Sequence, residues 1–307
     1  MSRATRGQAR RTLALGAVVA LGLSLSACGD DDSTVTPDAG ATTAGAETSA
    51  PAGDDLASKV PDAIKADGKI VVGTDSTYAP SEFLAADGKT IQGFDIDLFN
   101  AVAAKLGLKA EFVTASFDAI IPGVQSGKYE IGVSSFTIND ERKKVANMVS
   151  YFNAGTQWAT KAGNPGKIDI DDACGKRIAV QKGTVQVDDL AARSKKCTDA
   201  GKKALTVDQY ASQADATAAV VTGKDDAVLA DSPVVAYAVE QTAGKLELLG
   251  DIYDSAPYGY VVKQDQKDFA DVLAEALKAT IADGSYKTAL EKWGVEDGGI
   301  TDPAVNP

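Results

Sequence analysis

The chain of 307 residues contains no histidine. That absence excludes a Ser-His-Asp triad, a Cys-His pair, a His-ligated zinc and a histidine-held haem, and with them most familiar hydrolase chemistry. Positive charge is short as well: 31 Lys and Arg stand against 43 Asp and Glu, a formal net charge of -12, and no basic cluster lies outside the N-terminus. A phosphate backbone is held by Lys and Arg, so nucleic acid is not an expected partner. No long apolar run follows residue 28, and no internal repeat is visible. The acid pairs Asp171-Asp172, Asp188-Asp189 and Asp225-Asp226 lack the spaced oxygen ligands and central glycine of an EF-hand loop, and read as caps and turns. Neither a metal nor a cofactor is expected.

What is present begins at the N-terminus. Arg3, Arg6, Arg10 and Arg11 precede an apolar run from Thr12 to Ala27 that is short for a bilayer span, so residues 1–27 read as a secretory signal peptide. A transmembrane anchor is the alternative. The run ends in Leu25-Ser26-Ala27-Cys28, however, which resembles the bacterial lipobox, where a cysteine carrying diacylglycerol becomes the new N-terminus. Residues 28–59 are then the lipidated Cys28 and a flexible tether. Gly29 to Asp55 has almost no large apolar side chain and cannot bury enough surface to offset its ordering entropy. The remaining cysteines, Cys174 and Cys197, stand in a chain expected to be exported, where oxidation is permitted. A disulfide is the first reading, with two buried thiols or a metal site as alternatives.

An apolar share of 44% suffices for one large two-lobed domain or two ordinary ones. From about Lys69 onward, β-rich runs alternate with helical ones. Ile70-Val71-Val72-Gly73 reads as a buried strand, and Asp95 as the N-cap of a helix with Leu98, Val102 and Leu106 on one face and Gly107 past its end. A strand at 110–114, a helix at 117–125 containing Pro122, and a strand at 129–135 follow. After the turn-rich Gly163-Asn164-Pro165-Gly166 come strands at 177–181, 205–207, 226–230 and 246–249, with helices at 185–195, 211–222 and 233–242. Phe269, Val272, Leu273, Ala276, Leu277 and Ile281 make a last helical stripe, stopped by Gly284. Such alternation predicts an α/β fold with helices on both faces of the sheets, and two such cassettes suggest two lobes. Ligands of open α/β sheets bind at the carboxyl ends of strands, here in the cleft between lobes.

Three blocks in fixed order carry a resemblance: Val71-Val72-Gly73-Thr74-Asp75-Ser76-Thr77-Tyr78-Ala79-Pro80, Gly93-Phe94-Asp95-Ile96-Asp97-Leu98, and Ser134-Ser135-Phe136-Thr137-Ile138-Asn139-Asp140-Glu141-Arg142-Lys143. Together they resemble solute-binding protein family 3, the polar amino-acid branch that includes histidine- and glutamine-binding proteins, over about residues 66–296. The resemblance implies a two-lobed, periplasmic-binding-protein-like fold of type II whose chain crosses the hinge twice. Lobe 1 would hold residues 60–157 and 262–298, the hinge strands and lobe 2 residues 158–261, and a C-terminal tail residues 299–307. It further implies a monomeric, extracytoplasmic, lipid-anchored component of an amino-acid ABC importer, partnered by a free amino acid and the permease subunits, and not an enzyme. Cyclohexadienyl dehydratases are similar to these binding proteins, so an enzyme using Asp75, Glu82 or Asp231 is one competing reading. A sensor that presents its ligand to a receptor is the other.

The resemblance also implies a site suited to a molecule with a carboxylate at one point and an ammonium at the next. Arg142 matches the arginine whose fork grips the α-carboxylate, and Asp231 the acid that accepts the α-ammonium. Ser135, Phe136 and Thr137 form the stretch whose hydroxyl and backbone groups add hydrogen bonds. Thr184 and Val185, in Gln181-Lys182-Gly183-Thr184-Val185-Gln186, would offer helix-start amides to an anion. Asp75 and Gln181 would meet the ligand side chain and favour a polar or charged one, between the apolar walls of Tyr78 and Phe117. Ser81 stands where many members carry an aromatic. On the residues alone, blander readings stand beside these: a solvated helix-start arginine, a helix N-cap at Asp231, core packing for the aromatics and turn hydroxyls for the rest.

Overall fold

The computed structural model describes residues 54–307, so the expected signal peptide, Cys28 and most of the tether lie outside the described residues. In chain order the elements are α1 (Asp54–Lys59), α2 (Asp62–Lys65), β1 (Lys69–Thr74), β2 (Thr77–Tyr78), β3 (Glu82–Leu84), β4 (Ile91–Gln92), α3 (Phe94–Lys105), β5 (Lys109–Thr114), α4 (Phe117–Gln125), β6 (Ile131–Thr137), α5 (Asp140–Lys143) and β7 (Ala146–Lys161). They continue with β8 (Arg177–Gln181), α6 (Val185–Asp199), β9 (Thr206–Tyr210), α7 (Gln213–Thr222), β10 (Ala227–Asp231), α8 (Ser232–Gln241), β11 (Leu246–Lys263), α9 (Lys267–Ala282), α10 (Ser285–Glu291) and a 3-10 turn, Glu296–Gly298.

Eight strands form one sheet in the order β5-β1-β6-β11-β7-β10-β8-β9, and β2, β3 and β4 make a small antiparallel sheet beside it. The outer strands of each half are parallel, β1 with β5 and β6, and β8 with β9 and β10. Between the halves run β7 and β11, antiparallel to each other and 16 and 18 residues long. Ordinary strands have about 5–6 residues. These two are long because each serves both halves: β11 borders β6, β7 borders β10, and the register of the pair shifts between Leu249 and Tyr253 and again before Ala256. The result is a two-lobed type II fold, with lobe 1 built on β5, β1 and β6 and lobe 2 on β10, β8 and β9. The strand expected to end at 249 is therefore the start of a crossing strand.

Burial follows the period of each element. Alternate side chains of a strand face opposite ways, so in lobe 2 Ala159, Ala179 and Val228 join one apolar cluster while Trp158, Ile178, Val180 and Leu229 join another on the opposite face. Those strands are buried on both faces, which is why they read as continuous apolar runs. In lobe 1, Phe94, Leu98, Phe99 and Val102 of α3 pack with Phe269, Leu273, Ala276 and Leu277 of α9 against β1 and β6. Cys174 and Cys197 are bonded, with Cα atoms 5.6 Å apart, and tie the segment before β8 to α6.

Three expectations need correction. The tether does not run to residue 59: Asp54–Lys59 is helical, and Leu56, Val60 and Ile64, spaced by four, are buried in the lobe 1 core. The tail expected at 299–307 is part of the fold, because Val305 bridges Val149, Gly299 bridges Phe152, and Ala304 O accepts from Ser150 N at 2.9 Å. It covers the edge of β7 that β10 leaves unpaired, and so satisfies backbone groups that would otherwise be bare. Asp95 is not the N-cap of α3, which is Gly93; it stands second in the helix, its carboxylate fully buried and accepting from Ser135 N at 3.0 Å and the Tyr151 hydroxyl at 2.7 Å.

Candidate functional site

The carboxyl ends of β1 and β6 in lobe 1 meet those of β8 and β10 in lobe 2, and the residues expected at the site sit on or just after these ends. Asn139 caps α5 by accepting from Arg142 N at 2.8 Å. This short turn swings the Arg142 side chain back over the strand it has just left. Its guanidinium lies 5.4 Å from the Phe117 ring centroid and 5.3 Å from that of Phe136, and those two rings are stacked 4.5 Å apart. One terminal nitrogen donates to Thr137 O at 2.7 Å, the other to Gly183 O of lobe 2 at 3.2 Å. A guanidinium has five N–H donors, so with two engaged, three stay free for an anion. Burial pulls the Arg142 pKa down to about 10, against the opposing pull of Asp231. The side chain is half-buried and cationic at neutral pH.

Asp231 ends β10 at the N-cap position of α8, yet its carboxylate makes no capping bond. Pro233 in the first turn carries no N–H to be capped. The carboxylate instead accepts from the Tyr78 hydroxyl of lobe 1 at 2.9 Å and from Tyr258 at 2.8 Å on Oδ2, and from Gln186 Nε2 at 2.6 Å on Oδ1. Burial raises its pKa, opposed by these three donors and by the charge of Arg142. A carboxylate oxygen can accept two hydrogen bonds, so Oδ1 retains capacity for an ammonium.

Asp75 follows β1. Its Oδ1 accepts from Thr77 N at 3.1 Å and Thr77 Oγ1 at 2.7 Å, and its Oδ2 from Phe117 N at 3.1 Å and from Gln181 Nε2 of lobe 2 at 2.7 Å. Burial raises its pKa too, and the Thr77, Phe117 and Gln181 donors oppose the rise. Gln181 is 1% exposed and its Oε1 has no partner; Gln213 Oε1, 2% exposed, is likewise unpartnered, and Gln213 N donates to Thr77 Oγ1 at 3.2 Å. Such buried, unmatched acceptors are uncommon in folded proteins.

Two expected residues are placed differently. Ser135 has a left-handed backbone, with φ of 51°. That bend turns both its N–H and its hydroxyl to the buried Asp95 carboxylate, so neither faces the cleft. Thr184 is the N-cap of α6, but its hydroxyl donates to Gln181 O at 2.8 Å. Val185 N, at the first helical position, has no acceptor within its own helix. Gln186, Tyr258 and the ion pair Lys182–Asp118, at 2.7 Å between the lobes, were not expected. Gln186 stands in the same block as Gly183 and Thr184, and a buried amide in a first helical turn was its one signal. Tyr258 reaches the site from β11, whose full length the sequence pattern did not reveal.

Bonds from Gln181 to Asp75, Arg142 to Gly183 and Tyr78 to Asp231 hold the lobes together, so the cleft is closed. A cation with free donors, an acid with a free lone pair and an acceptor-lined end together form a site for a small zwitterion. Residues 70–296 match the bacterial extracellular solute-binding proteins, family 3. The arginine-binding protein ArgT of Corynebacterium glutamicum is 35% identical over 82% of this chain and 83% of its own length. Among solved structures, an ancestral arginine-binding protein bound to arginine superposes with a TM-score of 0.68 at 34% identity, covering 74% of this chain and 98% of that one. An ancestral amino acid-binding protein that is a precursor of cyclohexadienyl dehydratase gives 0.68 at 33% identity, over 76% and 98%. The chain thus belongs to the bacterial extracellular solute-binding proteins, family 3, as an amino-acid-binding component of an ABC importer.

Proposed function

We propose that the cleft takes an L-amino acid whose side chain ends in a cation with several N–H donors, arginine first among them. The observation that carries this is a buried negative charge with an unpartnered acceptor beside it: the Asp75 carboxylate, whose oxygens already accept four hydrogen bonds, supplies the charge, and Gln181 Oε1, whose own amide nitrogen donates to Asp75, is the free acceptor. A guanidinium brings five donors and a charge opposite to that of Asp75, whereas a glutamine side chain brings two donors and no charge. The names of the Corynebacterium glutamicum relative and of the ancestral arginine-bound structure support the same choice. Arg142 grips the α-carboxylate and Asp231 the α-ammonium. Each lobe holds half of these contacts, so ligand favours the closed arrangement that an importer recognises.

Lobe 1 holds residues 60–157 and 262–298 together with the helix Asp54–Lys59 and the 299–307 segment, lobe 2 the stretch between, Cys28 carries a lipid that fixes a monomer to the outer face of the cell membrane, and the site does no chemistry. Membrane fractionation of Cys28→Ala checks the anchor, and unchanged prephenate and arogenate after incubation check the last point.

The deciding experiment is a melting screen over the common amino acids. At a hundred dissociation constants of ligand the gain is about 2.7 kcal/mol, roughly 5–10 °C for a chain of this size. Arginine should give the largest shift. A larger shift with glutamine or glutamate, or none with any amino acid, would overturn the assignment.

A further inference from the structure

A cavity of about 540 Å³ lies apart from the amino-acid cleft. None of Asp75, Arg142, Gln181 or Asp231 lines it. It lies along the crossing strands, between residues 152–157 of β7 and the 248–255 stretch of β11 where the register shifts. Lobe 1 closes one side with Trp293 and Asp297, lobe 2 the other with Tyr237 and Glu240. Phe83 of lobe 1 ties the two walls, its ring 5.9 Å from Tyr237 and 5.5 Å from Trp293. The floor is apolar and open to solvent: Ile252 is 52% and Leu248 41% exposed. No lysine or arginine lines the cavity, and among the described residues neither Glu240 nor Asp297 forms an ion pair.

We propose that this cavity is a second ligand site, for a small organic cation with an apolar ring or chain. Its size is that of small-molecule sites. Two carboxylates outside any ion pair attract a cation, and Leu248, Ile252 and the lining rings of Tyr237 and Trp293 accept its apolar body. Because both lobes and both crossing strands form the walls, rotation at the hinge changes the cavity's shape. Phe152, on its floor, stacks on Tyr258 at 5.6 Å, and Tyr258 holds Asp231. An occupant that fits the closed arrangement therefore raises amino-acid affinity, and by linkage the amino acid raises affinity for the occupant.

Calorimetry on the folded protein tests this with 2-phenylethylammonium, its neutral counterpart 2-phenylethanol and the anion phenylacetate. The ammonium should bind saturably, about tenfold more tightly than the alcohol, and phenylacetate should not bind. Glu240→Gln with Asp297→Asn, both exposed and so tolerated by the fold, should weaken the ammonium about tenfold and leave amino-acid binding in the absence of probe unchanged. Arg142→Ala removes one bridge between the lobes and should weaken ammonium binding only a few-fold through that coupling, not abolish it, which separates this site from the cleft whether or not arginine is the cleft's ligand. Equal binding of ammonium and alcohol, no binding of either at millimolar concentration, indifference to the double variant, or loss of ammonium binding in Arg142→Ala would each overturn the proposal.

Discussion

Tyr78 of lobe 1 donates its hydroxyl to Asp231 of lobe 2 at 2.9 Å, and the Asp231 backbone N–H lies 3.3 Å from the same oxygen. One side chain thus both bridges the lobes and orients the acid proposed to hold the ligand's ammonium. Hydrogen bonds to a charged group contribute about 1.5–3 kcal/mol. Tyr78→Phe should therefore weaken amino-acid binding about tenfold or more while leaving the melting temperature of the ligand-free protein nearly unchanged. Calorimetry and thermal melting on the same preparation read both effects, and unaltered affinity would remove Tyr78 from the closure mechanism.

Arg142 and Asp231 should be far less tolerant. Leaving a buried charge without its partner costs about 3–5 kcal/mol, so Arg142→Ala or Asp231→Ala should weaken binding by on the order of a hundredfold or more. Arg142→Lys should fail as well. A lysine ammonium is a point charge, and it cannot lie flat over Phe117 and Phe136 while presenting two parallel N–H groups. Recovery of affinity in the lysine variant would show that charge alone suffices.

Selectivity is a separate matter from affinity and rests on Asp75 and Gln181. Asp75→Asn keeps the size of the side chain but replaces one acceptor oxygen with a donor nitrogen and removes the charge. Arginine binding should fall by on the order of a hundredfold, and glutamine should fall much less or gain. A ratio of arginine to glutamine affinity that stays constant would move the side-chain end elsewhere in the cleft.

The alternation of strands and helices was legible because buried parallel strands and amphipathic helices have different periods. Residues 117–125 and 177–181 emerged with the bounds expected, and Gly223 and Gly284 sit left-handed at helix boundaries as read. The crossing strands were not legible. Over 246–263 the burial pattern changes midway, exposed in the hinge and buried beyond Tyr258, so no single period marks them. Asp231 shows the same limit at the scale of one residue: a helix-start acid reads equally as a cap, and only the hydroxyls of Tyr78 and Tyr258, distant in sequence, decide where its carboxylate points.

The disulfide closes a loop of 23 residues' separation within lobe 2. Chain entropy gives such a crosslink about 3 kcal/mol, so Cys174→Ala with Cys197→Ala should melt roughly 6–12 °C lower. Amino-acid affinity should hold, since neither cysteine touches the cleft. Labelling the unfolded, unreduced protein with a thiol reagent should find neither cysteine, and quantitative labelling of both would refute the bond.

Below β6, Glu82 and Asp95 form a fully buried carboxyl pair. Burial raises both pKa values: Glu82 well above its ordinary range, and Asp95 to about 6, where hydrogen bonds from Tyr151, Glu82 and Ser135 limit the rise. A carboxyl group that holds its proton more tightly when folded than when unfolded adds stability that is complete below its unfolded pKa and is lost as pH rises through the folded value. The parent should therefore gain stability as pH falls from about 7 to 5, relative to Asp95→Asn, which has no such proton to take up. Asp118 works in the opposite direction, because its bond with Lys182 lowers its pKa, but that contribution fades only at lower pH. Urea unfolding midpoints of parent and variant at pH 7, 6 and 5 measure the difference. If the gap between the two proteins does not change over that interval, Asp95 does not titrate there and burial does not raise its pKa as stated.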